Sequence, residues 1–225
     1  GAWSVLSIAW RLLGDPREQW LCDYDRLVMV TEVAPPDSAM SAVDYAREVA
    51  AVLDPLHQTR AAPGDQSLRG GTQTSGALFE RPDPAIQRFR RAVIEAAERA
   101  VSLLPDDPTH PFLRRRSDRL TVVGSWSVRL SGGGGHHVSH YHGEGWMSSA
   151  YYARLPDVPR EAWLAHDGWI QFGVPPEMVA IDLPPRHLVE PEVGRLVLFP
   201  SYLLHGTMPF GSGDRLTAAF DFQPP

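Results

Sequence analysis

The chain has 225 residues, with 21 Lys and Arg against 27 Asp and Glu, and the resulting net charge of -6 argues against a nucleic-acid-binding surface. Its 43% hydrophobic and 21% charged residues are typical of a globular protein with a core of its own. Cys22 is the only cysteine, which excludes an internal disulfide and a cysteine-based zinc site and fits a reducing compartment. We therefore expect a cytoplasmic protein, and without an apolar run of bilayer length or a recognisable signal peptide we expect no membrane partner.

The N-terminal part of the chain is predicted to be mainly helical. Residues 3–14 place apolar side chains at helical spacing and end at a Gly-Asp-Pro turn, and a second short helix is expected over residues 17–25. Residues 26–33 are apolar and β-branched, which predicts a strand that stops at Pro35 and Pro36.

Two longer helices are predicted next. Residues 37–57 have apolar positions at steps of three and four, with Asp37 or Ser38 as the capping residue. Residues 82–105 are rich in Ala and Glu and form the longest clear helical segment. Between the two helices, residues 66–76 are rich in Gly, Thr and Gln, which predicts a loop.

Beyond residue 118 the sequence changes to short runs of Val, Leu, Trp, Tyr and Phe, separated by Gly and Pro. Many short strands at near-regular spacing predict a sandwich or a closed barrel. We expect a mainly β fold with flanking helices (α+β), in which residues 119–225 form a jelly-roll core. Residues 23–118 would be the helical part of the same domain, residues 23–225. Residues 1–22 would form a helical extension, which could be the last helix of an upstream helical repeat.

Histidines are concentrated in one of these predicted strands, where four of the nine lie within seven residues. Residues two apart in an extended strand point to the same face, about 6–7 Å apart, so His140 and His142 should project together. Imidazole is the commonest ligand of divalent first-row metals. His205, at the end of an apolar strand and before a glycine, is the candidate third ligand. His136 and His137 would lie on the approach to the site, and His137 is the better candidate to contact a substrate.

A second ligand set is open at this stage. Non-haem iron sites usually combine two His with one carboxylate, and His142, Glu144 and His205 have a suitable order. Glycines flank Glu144 on both sides, which suggests that the strand has turned away there. The sequence therefore favours three imidazoles and keeps Glu144 as the alternative to His140.

An anion-binding site is predicted on the last strand. Arg215 and Thr217 share one face of that strand, and an inward guanidinium matches a carboxylate in two-point contact. An internal ion pair with Asp221 is the alternative. Tyr152 shares the parity of His140 and His142, so its phenol is expected to point inward and to seek a polar partner.

Residues 140–152, 194–207 and 215–222 resemble the 2-oxoglutarate/Fe(II) oxygenase family, in the variant that carries His-x-His in place of His-x-Asp. The stretches SLRGGTQT and GSWSVRL resemble the branch in which this catalytic part follows tetratricopeptide repeats. The resemblance runs from about Asp23 to the end of the chain. It implies a double-stranded β-helix and an Fe(II) site, with 2-oxoglutarate as co-substrate. The residues implied are His140, His142 and His205 for the metal, and Arg215, Tyr152 and Thr217 for 2-oxoglutarate.

The implied reaction uses O2 to hydroxylate a small molecule or a protein side chain, with release of succinate and CO2. No catalytic residue is expected apart from the metal site. Two rival functions remain open: a zinc-dependent hydrolase with a three-His site, and a non-catalytic jelly-roll that binds a sugar or a metal. Five residues are candidates for contacts with the substrate at the entrance: His137, Trp126, Trp146, Arg69 and Gln73.

Overall fold

The structure is a computed structural model that describes residues 1–35, 37–57, 67–74 and 77–225. Pro36, at the predicted end of the first strand, and residues 66, 75 and 76 of the predicted loop lie outside the described residues. The helices are α1 (Ala2–Leu13), α2 (Arg17–Leu21), α3 (Tyr24–Leu27), α4 (Ala42–Leu53), α5 (Pro84–Ser102) and α6 (Arg160–Leu164). The strands are β1 (Met29–Glu32), β2 (Leu68–Arg69), β3 (Gly71–Gln73), β4 (Thr121–Ser131), β5 (His136–His137), β6 (Met147–Arg154), β7 (Ile170–Phe172), β8 (His187–Val189), β9 (Arg195–Pro200), β10 (His205–Thr207) and β11 (Asp214–Gln223).

The helical segments begin and end where the chain supplies caps. Gly14 ends α1 in the left-handed conformation, with φ of 64°, which glycine adopts without strain. The second predicted helix is divided into α2 and α3 at Cys22 and Asp23, so β1 begins only at Met29.

The cap of α4 differs from the prediction. Neither Asp37 nor Ser38 caps this helix; the Ser41 hydroxyl accepts a hydrogen bond from the amide of Asp44, which makes Ser41 the N-cap. The predicted loop over residues 66–76 is also partly wrong, because β2 and β3 lie within it and pair with β5 and β4. The many Gly and Thr residues of this segment are typical of a loop, so these short strands were not predicted.

The described strands form three sheets that make up two facing layers, as expected for a jelly-roll. The larger sheet has six strands in the order β1-β9-β6-β11-β4-β3, with antiparallel pairing throughout. The opposite layer contains the three-stranded sheet β10-β7-β8 and the pair β2-β5. The prediction of a mainly β fold with flanking helices is confirmed.

Adjacent residues of β6 show how the larger sheet separates two hydrophobic clusters. Tyr151 faces α5, where Phe89 lies 4.9 Å from its ring between centroids. Tyr152 points the other way, into the cluster between the two sheets. The helices thus cover one face of the larger sheet, and its other face is free to line a cavity.

Residues 1–22 are attached to the jelly-roll by polar contacts. The Ser4 hydroxyl donates to the main-chain oxygen of Tyr202 at 2.8 Å, and Arg11 donates to that of Gly173 at 2.7 Å. The proposed division of the chain at residue 22 stays a prediction. Within the described ranges, no helix is both long enough and apolar enough to cross a membrane.

Candidate metal centre

Three histidine side chains converge between the sheets. His140 and His205 face each other in an isolated antiparallel bridge and exchange both main-chain hydrogen bonds, at 3.0 and 2.9 Å. His142 is held by its amide, which donates to the main-chain oxygen of Ser201 at 2.9 Å. One ring nitrogen from each imidazole lies within 4.8 Å of the other two. Three imidazole nitrogens grouped in this way could hold one divalent cation.

The backbone that presents His140 and His142 is not the extended strand that was predicted. Strand β5 ends at His137, His140 belongs only to the bridge, and His142 lies in a segment without regular structure. The rings nevertheless meet, with His140 Nε2 at 3.2 Å from His142 Nε2. The backbone hydrogen bonds to Ser201 and His205 supply the alignment that a regular strand would have given.

The tautomer of each imidazole follows from its Nδ1 partner. Nδ1 of His140 donates to the main-chain oxygen of Val138 at 2.8 Å, and Nδ1 of His205 donates to that of Leu203 at 2.9 Å. Nδ1 of His142 donates to the carboxylate of Asp221 at 2.7 and 2.9 Å. Because carbonyl and carboxylate oxygens accept hydrogen bonds, all three Nδ1 atoms carry the proton. Each Nε2 lone pair is therefore free to bind a metal.

Burial favours the neutral form of His140 and His205. Burial and the neighbouring His142 lower the pKa of His140 to about 4. Burial, followed by the charges of His140 and His142, holds the pKa of His205 well below its ordinary value. Metal binding needs the unprotonated ring, so this environment favours metal over protons near neutral pH.

Glu144 does not join this group. The residue is exposed, and it contributes no atom to the three-histidine cluster. Of the two ligand sets left open by the sequence, the geometry assembles the three imidazoles.

The imidazoles form one wall of a cavity between the two layers of strands. Apolar side chains from both sheets, among them Val128, Ile170 and Phe199, line much of the rest. His137 also lines it, and its Nδ1 lies 3.0 Å from the Ser67 hydroxyl. A concave site with mainly apolar walls and a few convergent polar groups is typical of a ligand-binding site.

Arg215 brings a positive charge into the same cavity. The residue is 3% exposed, its Nη1 donates to the main-chain oxygen of Gly168 at 2.8 Å, and its Cζ lies 4.8 Å from the ring centroid of Tyr152. Burial lowers the pKa of this guanidinium. Among the described residues, neither Arg215 Nε nor the Tyr152 hydroxyl has a hydrogen-bond partner, although both atoms are buried. Two orphaned polar atoms beside a buried cation fit an anionic ligand.

Thr217 lies next to Arg215 on the inward face of β11. Its hydroxyl donates to the main-chain oxygen of Val128 at 3.4 Å, and its side chain lines the cavity. Arg215 and Thr217 therefore share one wall, as the two-residue spacing predicts.

The candidate substrate contacts divide into two groups. Trp126 lines the cavity, and its ring lies 5.5 Å from that of His142. Trp146 was a wrong expectation: it is 4% exposed, stacks on Phe112 at 4.3 Å and donates to the main-chain oxygen of Phe112 at 3.0 Å. Its apolar ring is buried in the core beside the helices, so it has no surface at the entrance.

The two loop candidates lie in short strands beside the cavity and do not line it. Arg69, on β2, is exposed and pairs across the sheet with His136. Gln73, on β3, is half-buried and pairs with Val128.

Sequence reasoning missed Asp221 as a hydrogen-bond partner of the three-histidine cluster. The residue was considered only as a counter-charge for Arg215, yet its carboxylate contacts His142. The available signal was its position on the inward face of β11, six residues after Arg215. Ser67, near His137 and 3.4 Å from His140 Nε2, carried no recognisable sequence signal.

Comparison with known proteins agrees with this geometry. Residues 124–221 match the model of the family described as "Putative 2OG-Fe(II) oxygenase". No curated protein sequence matches the chain.

Solved structures share the fold at low sequence identity. One is the viral collagen prolyl hydroxylase of Paramecium Bursaria Chlorella virus-1 in its 2OG complex, with a TM-score of 0.54 and 14% identity over 91% of this chain and 99% of that one. Another is HygX from Streptomyces hygroscopicus with nickel and 2-oxoglutarate bound, with a TM-score of 0.57 and 16% identity over 92% and 87% of the two chains. A third is a Trichoplax adhaerens prolyl hydroxylase in complex with a hypoxia inducible factor fragment, at 0.54 and 14% over 95% and 93%. At these identities the likeness shows a common fold.

Proposed function

We propose that this chain, a member of the 2-oxoglutarate/Fe(II) oxygenase family through its residues 124–221, binds Fe(II) with His140, His142 and His205 and hydroxylates a substrate carbon. The observation that carries the proposal is the pairing of two features in one cavity. One ring nitrogen from each of the three imidazoles lies within 4.8 Å of the other two, and a buried guanidinium with an orphaned Nε lines the same cavity.

The donor set fits iron. Three neutral imidazoles suit a divalent first-row metal and leave further positions for other ligands. Their Nδ1 protons are already committed to Val138, Leu203 and Asp221, so the rings need no reorientation to bind.

The second half of the cavity fits 2-oxoglutarate. Arg215 would bind the distal carboxylate, and the Tyr152 hydroxyl and Thr217 would assist it. A carboxylate there would supply partners for the two buried atoms that lack them and would balance the only charged side chain among the described lining residues.

Iron and 2-oxoglutarate, when bound, supply the oxidising chemistry that uses O2 and yields a hydroxylated product with succinate and CO2. The chain's own residues position these groups and exclude water. The apolar side chains of Val128, Ile170 and Phe199 form dry walls around the polar groups. We assign no separate acid or base to the protein.

The substrate would approach from the side of His137 and Trp126, both of which line the cavity. A small molecule and a protein side chain both remain substrates compatible with this proposal. The expectations that nucleic acid and membrane are not partners, and that the protein is cytoplasmic, stay predictions from charge and cysteine content.

Arg215→Met tests the function directly. Anaerobic addition of Fe(II) and 2-oxoglutarate to the unmodified protein should produce a weak visible charge-transfer band. Arg215→Met keeps much of the side-chain volume but removes the charge, so the band should be lost or should need at least tenfold more 2-oxoglutarate. Arg129→Gln is the matched control, because Arg129 pairs with Asp214 near the surface and should leave the band unchanged.

Other outcomes would contradict the proposal. Tight zinc binding with no band in the unmodified protein would favour a three-His hydrolase. Absence of metal binding would favour a non-catalytic binding module. A band of equal strength and 2-oxoglutarate dependence in Arg215→Met would remove Arg215 from the site.

A further inference from the structure

Asp221 on β11 contacts the three-histidine cluster at His142 Nδ1, the ring nitrogen that would not bind the metal. Its Oδ1 accepts hydrogen bonds from His142 Nδ1 at 2.7 Å and from the Ser148 hydroxyl at 2.6 Å. The side chains of Asp221 and His142 are only 13% and 15% exposed. The carboxylate therefore lies in a mostly dry place where each hydrogen bond is strong.

The hydrogen bonds around Asp221 all run in one direction. Ser148 is fully buried and uses its one proton on Asp221, so the Ser201 hydroxyl, 2.8 Å away, donates to Ser148. Ser201, Ser148 and His142 thus form a set of donors that ends on one carboxylate. A carboxylate that only accepts is the ionised form.

The neighbouring backbone leaves room for this carboxylate. A Cβ at Gly145 would clash with the Ser201 hydroxyl and lie 3.3 Å from Asp221 Cγ. A Cβ at Gly124 would lie 3.5 Å from Asp221 Oδ2. Asp221 also pairs with Gly124 on one side and Ser148 on the other, which fixes its position in the larger sheet.

Among the described residues, the carboxylate of Asp221 forms no ion pair with a Lys or Arg side chain. Across the described part of the chain, the one ion-pair partner of its carboxylate is His142, which is neutral when Nε2 is free. A buried anion without a counter-charge is unfavourable. A metal ion on His142 Nε2 would balance it through one imidazole ring.

We propose that Asp221 is a positioning residue that supplies, through His142, the negative charge that a carboxylate ligand would bring to the metal. The inference rests on the proposed function, because it assigns a role toward the same metal. Three imidazoles bring no negative charge to a divalent cation. The Asp221 carboxylate would supply that charge from the far side of the His142 ring. It also fixes the tautomer and orientation of His142.

Metal affinity is the primary test. Asp221→Asn keeps the shape and an acceptor but removes the charge, and we expect the dissociation constant for Co(II) and for anaerobic Fe(II) to rise about 10- to 100-fold. Asp221→Ala should weaken binding further, because His142 then also loses its acceptor. Asp214→Asn is a change of the same kind on the same strand, beside the half-buried Arg129 guanidinium, and it should leave both affinities within twofold.

A double-mutant cycle separates this role from a general structural one. If Asp221 acts through His142, Asp221→Asn should have little effect on Co(II) affinity once His142→Ala has removed the ring. The Co(II) absorption spectrum should also change in Asp221→Asn, because the donor strength of His142 changes. The thermal midpoint of the metal-free protein serves as the folding control and should change little.

The outcomes distinguish the two proposals. Co(II) binding that is equally tight in Asp221→Asn and in the unmodified protein would overturn the role of Asp221 and leave the oxygenase proposal intact. Equal losses of affinity with and without the His142 ring would also overturn it. Failure of the unmodified protein to bind Co(II) or Fe(II) would instead contradict the proposed function.

Discussion

Tyr151 and Tyr152 are neighbours on β6 with the same burial and opposite surroundings. Both are 0% exposed, and among the described residues neither hydroxyl has a hydrogen-bond partner. Burial raises the pKa of both phenols, so both stay protonated. Tyr151 faces the helices, whereas Tyr152 lies under Arg215. Comparing the two tyrosines separates the effect of an unsatisfied hydroxyl on folding stability from its effect on ligand binding.

Removing either hydroxyl should stabilise the protein in the absence of ligands. An unsatisfied buried hydroxyl costs about 1–3 kcal/mol, so Tyr151→Phe and Tyr152→Phe should both raise the free energy of unfolding in urea. Only Tyr152→Phe should weaken the binding of 2-oxoglutarate, by severalfold, as measured by titration of the anaerobic Fe(II) protein. Equal 2-oxoglutarate affinities in the two variants would remove the Tyr152 hydroxyl from the site.

At the scale of single elements, the start of α4 shows what a local pattern can and cannot specify. Asp37, Ser38 and Ser41 are all acceptable capping residues, and the sequence alone favoured the first two. Ser41 is used because its hydroxyl accepts from the Asp44 amide and also donates to the Asp44 carboxylate. The reciprocal arrangement resembles a capping box, in which the third residue of the helix is acidic.

Ser41→Ala should therefore destabilise the protein by about 1 kcal/mol in urea unfolding. Ser38→Ala removes a hydroxyl whose described hydrogen bond is from the Met40 amide at 3.2 Å, outside the helix, and should cost clearly less. The reverse order of the two effects would place the helix start at the residue that the sequence suggested.

Short elements limit prediction in the same way near the site. The pair His140 and His142 could be chosen from its spacing, but the extended strand invoked to align the two rings does not continue beyond His137. Trp146 packs on Phe112, and a contact with such a distant segment could not be read from the local sequence. Alternation did place Tyr152 and Arg215, which lie within long regular strands.

In the described part of the molecule, two large hydrophobic clusters lie on opposite faces of the larger sheet, and polar residues join distant segments. His110 is one of them. Its Nε2 donates to the main-chain oxygen of Leu21 at 3.3 Å, while its Nδ1 accepts from the amides of Phe112 and Leu113, each at 3.2 Å. The ring must be neutral to accept at Nδ1, and burial lowers its pKa from 6.5.

The global stability should fall in mild acid for this reason. A histidine whose pKa is lower in the folded than in the unfolded state adds stability above about pH 6.5, and that stability is lost as the pH falls further. His110→Asn removes this titration, so its free energy of unfolding, measured without metal, should decline less between pH 7 and pH 5 than that of the unmodified protein. Parallel declines would show that His110 does not contribute.

At this scale the sequence predicted the fold well. The spacing of the strands and the change of residue composition beyond residue 118 indicated a jelly-roll with flanking helices. These features could be read from the sequence because alternation and propensity are local properties. Contacts that depend on pairing between distant strands could not be read in this way. The contact of Asp221 with His142 spans 79 residues and depends on the order of strands in the sheet.

The main-chain bridge between His140 and His205 affects how the site would bind a metal ion. Two of the three predicted ligands are held opposite each other by backbone hydrogen bonds, so their separation is set when the chain folds. The conformational entropy of ordering these two rings is lost at that stage and does not weaken the later uptake of an ion. We therefore expect a metal ion to bind to a preformed site, without rearrangement of the surrounding backbone.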